Sequence, residues 1–308
     1  MGRSKSKLIL VPGLCVAGTF LGLSVSSGEG RAVGLRAAAA GERTDIFVVR
    51  PGRPRLTRIT DHREGVEEEV AYSPSWSPDA QRIAFVEIAC EFCRPLIRVA
   101  PARPLRGGRL GRALALGFEP RFSPDGKRIV FVGRDGGIHL VRADGSHRHL
   151  LVKGGLADDG PSWSPDGRRI VFSRQESATR WRLYIVGVDG KNLHRLPTGL
   201  RAAVNPAWSP GGGKIAFAGQ VGRWHIYTVG VHGRNRRRVS GLRTSDTSPA
   251  WSPNGRRLAF VRQEGSAFAV FTMTAAGSHV RRTTPRWMSA IQPAWSSTGK
   301  IAFVGGER

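Results

Sequence analysis

The sequence predicts an all-β fold, a six-bladed β-propeller of four-stranded blades, on three observations. The stretch Pro161 to Phe172, PSWSPDGRRIVF, occurs six times with variation, led by prolines at 74, 120, 161, 206, 249 and 293. The gaps of 46, 41, 45, 43 and 44 residues lie in the range of a propeller repeat. The chain also opens on the second half of a unit and closes on the first half. The simplest ring therefore pairs the N-terminal strands with the C-terminal hairpin, leaving no open sheet edge.

Before the repeats come two segments of a different kind. Arg3, Lys5 and Lys7 precede an apolar run from Leu8 to Val25, followed by small residues up to Ser27. Residues 1–27 read as a secretory signal peptide, with retention as a membrane anchor the alternative. Cys15 follows Leu14, not the small residue that a lipid-anchor cleavage site needs. Residues 28–44 are rich in Ala, Gly and Arg without periodicity and read as a flexible linker. The propeller is expected over residues 45–305. Ile46 to Val49 and Arg55 to Ile59 read as its first two strands.

Each repeat begins with a hairpin. Trp163 ends one strand, and Ser164-Pro165-Asp166-Gly167 has turn chemistry, with Pro presetting φ and Gly taking a left-handed conformation. Ile170-Val171-Phe172 then resumes a strand of high β-propensity. Leu183 to Val186, a turn at Asp189-Gly190 and Leu193 to Leu196 supply the third and fourth strands. The repeated Trp is expected to pack between blades, because a large aromatic buries much apolar area. The residue between Pro and the aromatic is Ser75, Arg121, Ser162, Ala207, Ala250 or Ala294, mostly small, as a crowded innermost strand requires.

Strand alternation sorts the loops to two faces. The first-to-second and third-to-fourth strand turns share a lower face, and the remaining loops share an upper one. The lower face should carry the basic pairs Lys127-Arg128, Arg168-Arg169 and Arg256-Arg257. The upper face should carry most acids, among them Glu87, Glu119, Asp158, Asp159 and Asp246, together with Trp181, Trp224 and Trp287. The three tryptophans either cover the ends of the blades or form an apolar platform for a partner or a sugar.

The residue before each repeat proline is Ser73, Glu119, Gly160, Asn205, Ser248 or Gln292. Five of the six are polar, and each lies where a loop enters an innermost strand. Ser73, Glu119, Asn205, Ser248 and Gln292 should therefore ring the upper mouth of the central channel. They either satisfy backbone and channel water or receive a polar or cationic group from a ligand.

The formal net charge is +25, from 48 Lys and Arg against 23 Asp and Glu in 308 residues. Coding bias on a solvated surface explains this blandly. Attraction of the lower face to an anionic polymer or a membrane surface is the functional reading. No basic-aromatic nucleic-acid module of known spacing is present, so nucleic acid is the weakest candidate partner.

Cys90 and Cys93 form a Cys-x-x-Cys in an upper loop, with Cys15 the third cysteine of the chain. Zinc would need further ligands of matching spacing, and a redox pair would want a helix N-terminus. A local disulfide is the preferred reading for an exported chain, with free thiols the alternative. No metal site or cofactor is expected. His147, His194, His232 and His279 fall on different blades. His139 and His225 begin third strands too far apart to share an ion, and all six histidines read as surface residues.

The unit Pro-x-Trp-Ser-Pro-Asp-Gly, two basic residues and Ile-(Ala/Val)-Phe, followed by Leu-Tyr-Ile-Val and Asp-Gly, resembles the WD40-like propeller repeat of TolB-type proteins. The resemblance covers roughly Asp45 to Val304. Ala80 replaces the turn glycine in the first copy, and the last hairpin reads Ser-Ser-Thr-Gly. The resemblance implies an exported, non-enzymatic, protein-binding propeller of the cell envelope, here without the α/β domain that precedes the propeller in TolB-type proteins. Prolyl-oligopeptidase-like enzymes carry similar repeats beside a hydrolase domain. The Gly-x-Ser-x-Gly elbow of that domain is not found here. Two function classes follow: a monomeric scaffold binding an envelope protein or polar ligand, and a carbohydrate- or peptide-processing enzyme at the channel mouth. A close pair of carboxylates there would favour the second.

Overall fold

A computed structural model describes residues 44–60, 70–88, 94–105 and 111–307. The described residues form six four-stranded antiparallel sheets and no helix. The innermost strands of blades one to six are Val70–Trp76, Phe118–Phe122, Ala157–Trp163, Ala203–Trp208, Asp246–Trp251 and Met288–Trp295. Each packs against the innermost strand of the next blade, and that of blade six packs against that of blade one, closing the ring.

Closure follows the half-unit offset. Met288–Trp295 and Ile301–Glu307 supply the two inner strands of blade six, and Asp45–Arg50 and Arg53–Arg58 supply its two outer ones. Asp45 to Val49 pairs with Gly305 to Ile301 in an unbroken antiparallel register. The chain termini thus lie hydrogen-bonded in one sheet.

The core lies between blades. Ile83, Phe85, Phe131, Phe172, Phe217, Phe260 and Phe303 of the second strands are fully buried. The repeat tryptophans pack there as expected and also tie neighbouring blades together. Trp76, Trp163 and Trp251 each donate their indole N–H to a backbone carbonyl of the preceding blade: Ala294, Arg121 and Ala207 respectively, at 3.0–3.1 Å. In blade four Trp208 donates instead to Gly212 O at 3.0 Å, while its backbone N–H is taken by Ser162 Oγ at 3.1 Å.

The Ser-Pro-Asp-Gly turn is a compact hydrogen-bonded unit. Ser164 Oγ donates to Asp166 Oδ1 at 2.5 Å and accepts from Arg169 N at 2.9 Å, and Asp166 Oδ1 also accepts from Arg168 N at 3.0 Å. The same pattern recurs around Ser77, Ser123 and Ser252. These bonds hold Asp166 below the ordinary carboxylate range, the Ser164 hydroxyl contributing most.

The basic pair after the turn divides its labour. Its second residue turns inward over the next blade: Arg82 over Phe122, Arg128 over Trp163 and Arg169 over Trp208, at 4.9–5.5 Å from the ring centres. Arg257 instead reaches Thr272 Oγ1 at 2.8 Å. Arg128, Arg169 and Arg257 are therefore partly buried packing residues, which corrects their assignment to an open basic face. Lys127, Arg168 and Arg256 are exposed.

Candidate functional site at the channel mouth

Every innermost strand carries a β-bulge at one place. The register shifts fall between Tyr72 and Ser75, Phe118 and Arg121, Asp159 and Ser162, Val204 and Ala207, Thr247 and Ala250, and Ile291 and Ala294. Each contains a mouth residue and its proline. Proline has no N–H for the ladder, so the strand must break pairing there. The residue before it is left-handed in all six copies: φ is 56° at Ser73, 51° at Glu119, 58° at Gly160, 50° at Asn205, 49° at Ser248 and 53° at Gln292. Five of these are not glycine, a conformation that L-residues seldom adopt and that concentrates at functional sites.

Three of the predicted mouth residues meet across blades six, one and two. Ser73 Oγ donates to Glu119 Oε1 at 2.8 Å, and Gln292 Nε2 donates to the same oxygen and to Ser73 Oγ at 3.1 Å. Gln292 Oε1 accepts from Ser73 N at 2.8 Å. Arg121 donates to Glu119 Oε2 at 2.8 Å. The other half of the ring is unlinked: among the described residues the side chains of Asn205 and Ser248 make no hydrogen bond. Gly160 lies against Asn205, whose Cα would sit 3.3 Å from a Cβ placed there.

Arg121 and Asp159 were not among the predicted mouth residues, although Asp159 was placed with the upper-face acids. Arg121 is the one large residue in a series of serines and alanines, directly after Glu119-Pro120. That irregularity was the available signal. Asp159 is 5% exposed, and its Oδ2 is buried without a hydrogen-bond partner. Burial first, then the negative charge of Glu119, push its carboxyl up to about 8, against the opposing pull of Arg121. The Tyr72 hydroxyl is likewise buried and unpartnered, and burial with Glu119 raises it above the ordinary phenol range. The mouth thus holds one compensated carboxylate, Glu119, beside one desolvated carboxyl, Asp159.

Several expected features of the upper face are corrected. Glu87, Asp158 and Asp246 are buried, not displayed. Asp158 pairs with Arg174 at 2.7 Å and Asp246 with Arg262 at 2.8 Å, while Glu87 bonds Arg98. Each acid lies on an early inward position of an inner strand or late on a second strand, where only a paired carboxylate is tolerated. Trp181 and Trp224 are each 2% exposed and pack with Ala157, Ala202 and Ile226 between blades, so they cover the blade ends and offer no platform. Trp287 is exposed at 56%.

His139 and His225 are also buried and not surface residues, because their third strands are covered on both faces, with Ile138, Leu140, Trp224 and Ile226 buried beside them. His139 stacks on Phe131 and bonds Asp135 at 2.9 Å. Burial holds His225 below the ordinary imidazole range. The other four singled-out histidines are exposed. Among the described residues no group of three His, Cys, Asp or Glu is placed to hold a metal ion. Cys90 and Cys93 lie outside the described residues.

A closed ring of six four-stranded antiparallel blades defines a six-bladed β-propeller. The chain belongs to the TolB beta propeller domain family, whose model matches residues 23–204 and 200–307. Among solved structures it is similar to a putative TolB from Agrobacterium tumefaciens, with a TM-score of 0.72 and 19% identity over 87% of this chain and 99% of that one. It is also similar to TolB from Acinetobacter baumannii, with a TM-score of 0.63 and 20% identity over 82% of this chain and 66% of that one. An oligogalacturonate lyase in complex with manganese shares the fold at a TM-score of 0.54 and 12% identity, over 86% of this chain and 96% of that one. At these identities the likeness is one of fold. No curated protein matches the chain.

Proposed function

We propose that the chain is an exported, non-enzymatic scaffold whose channel mouth receives a cationic or polar group from a partner protein of the cell envelope. The observation that carries this reading is the convergence of left-handed polar residues with a buried carboxyl, Asp159, whose Oδ2 lacks a hydrogen-bond partner and which feels the charge of Glu119. Such a group is costly to keep in an empty site and is repaid when a donor arrives. A cationic group entering the mouth would displace the proton of Asp159, so capture should strengthen as pH rises toward about 8 and level off above it. The family assignment supports export and a protein partner. No helix of the described residues is long and apolar enough to cross a membrane.

The test is the paired substitution Glu119→Gln with Asn205→Ala in folded protein, used to capture partners from its own envelope extract. Loss of the captured protein supports the mouth; unchanged capture removes it. In exported protein Cys90 and Cys93 should resist thiol labelling after denaturation without reductant, and two labelled cysteines would end the disulfide reading.

One observation favours a second reading. A protonated Asp159 electrostatically coupled to Glu119 resembles an acid and a carboxylate set apart by their surroundings, as carbohydrate-cleaving sites require. Against it, both oxygens of Glu119 are already engaged by Ser73, Gln292 and Arg121. Turnover of an acidic or neutral oligosaccharide that Asp159→Asn abolishes would establish this alternative.

A further inference from the structure

The lower face carries a groove of about 750 Å³ where blade one meets the turns of blade two. Five cations line it: Arg82, Arg112, Lys127, Arg128 and Arg142. Arg82 and Arg128 are committed to the rings of Phe122 and Trp163. Arg112, Lys127 and Arg142 are exposed, and no ion pair holds them among the described residues.

Two carboxylates also line the groove, Asp125 and Asp144. Both are engaged by their own turns. Asp125 Oδ1 accepts from Ser123 Oγ and from Lys127 N, and Asp144 Oδ1 accepts from Ser146 N at 2.8 Å and Ser146 Oγ at 2.7 Å. Asp144 is also attracted to Arg142 and Arg112, and Asp125 to Arg128 and Lys127; with five cations against these two carboxylates the groove keeps an excess of three positive charges. Between the cations lie Val99 and Leu114, the latter on the outermost strand of blade one, Arg112–Leu116.

We infer that this groove docks an acidic peptide segment of a partner protein, one that alternates carboxylate and aliphatic side chains. Charge complementarity supplies the anion. Arginine forks suit carboxylates, and the aliphatic floor of Val99 and Leu114 gives an apolar side chain a place that a bare sugar or phosphate chain would not use. The groove lies on the face opposite the channel mouth, so it stands independently of the function proposed above.

Fluorescence anisotropy on the full chain tests this, using a short labelled peptide alternating Glu and Leu. Its counterparts are a Gln–Leu peptide, poly-glutamate of the same length, and heparin. Lys127→Gln with Arg142→Gln, both exposed positions, should weaken the Glu–Leu peptide about tenfold. Arg256→Gln, an exposed cation after the corresponding turn of blade five, should leave it unchanged. Leu114→Ser should weaken the Glu–Leu peptide and leave poly-glutamate unaffected. The inference is overturned if the paired variant binds as tightly as the wild type, or if the Gln–Leu peptide binds equally well. Heparin or poly-glutamate binding more tightly than the Glu–Leu peptide, with Leu114→Ser neutral, would identify a general polyanion surface and overturn it too.

Discussion

Asp159 and Ser248 show how single residues shape the mouth. Asp159 binds its proton more tightly folded than unfolded, with its carboxyl raised from 3.8 to about 8. Stability from this group is greatest below about pH 4, falls as pH rises toward about 8, and is level above that. Asp159→Asn should flatten this slope and be the more stable form near pH 8, as denaturant unfolding at several pH values would show. A variant with the wild-type slope would place the titration elsewhere. Ser248 sits at φ 49°. Glycine there trades relief of the left-handed conformation against its chain entropy and should be near neutral, whereas Ser248→Val should cost about 1–2 kcal/mol. Equal thermal stability of the Gly and Val variants would contradict that account. Sequence singled out five polar residues before the repeat prolines, and all five are left-handed. It could not show that both oxygens of Glu119 are engaged while Asp159 Oδ2 is not, because that depends on which blades face one another.

At the level of elements, the inner strands are held by buried acid–arginine clips. Asp246 accepts from Arg262 at 2.8 and 2.9 Å, and Arg262 also lies over Phe260 and Phe271. Blade three repeats this with Asp158, Arg174, Phe172 and Tyr184. Removing one partner strands the other charge, so Asp246→Ala should cost about 3–5 kcal/mol, read from urea unfolding. A loss below about 1 kcal/mol would mean the pair behaves as an exposed one. The hairpin turns were legible because Ser, Pro, Asp and Gly each have a local role. The clips were not: an acid entering a strand from a loop looks solvated until the arginine directly opposite it on the adjacent strand is known. The inward turn of Trp181 and Trp224 was hidden for the same reason, since both period and loop position allow either side of the sheet.

For the whole molecule, the half-unit offset of the chain ends made closure readable before any coordinates. Ile301–Glu307 is hydrogen-bonded on one side to Met288–Trp295 and on the other to Asp45–Arg50. Deleting the last twelve residues therefore removes a central strand and opens the ring. The truncated chain should lose its cooperative thermal transition, whereas an ordinary terminal trim is tolerated. A cooperative transition of unchanged midpoint would show that the ring does not depend on this seam.

Blade number followed from period, and blade order from chain order, but the charge of each face did not. The upper face loses much of its expected acidity to burial, and the lower face concentrates free cations at one groove. The proposed function accordingly draws on the mouth and not on net charge. Carboxyl-resolved NMR titration of Asp159 in the free protein tests that claim most directly. A midpoint near 8, moving down in Arg121-bearing protein once Glu119 is changed to Gln, is the predicted result. A midpoint near the ordinary value of 3.8 would mean that water already serves this carboxyl, and the mouth would be no preformed site for a cationic group.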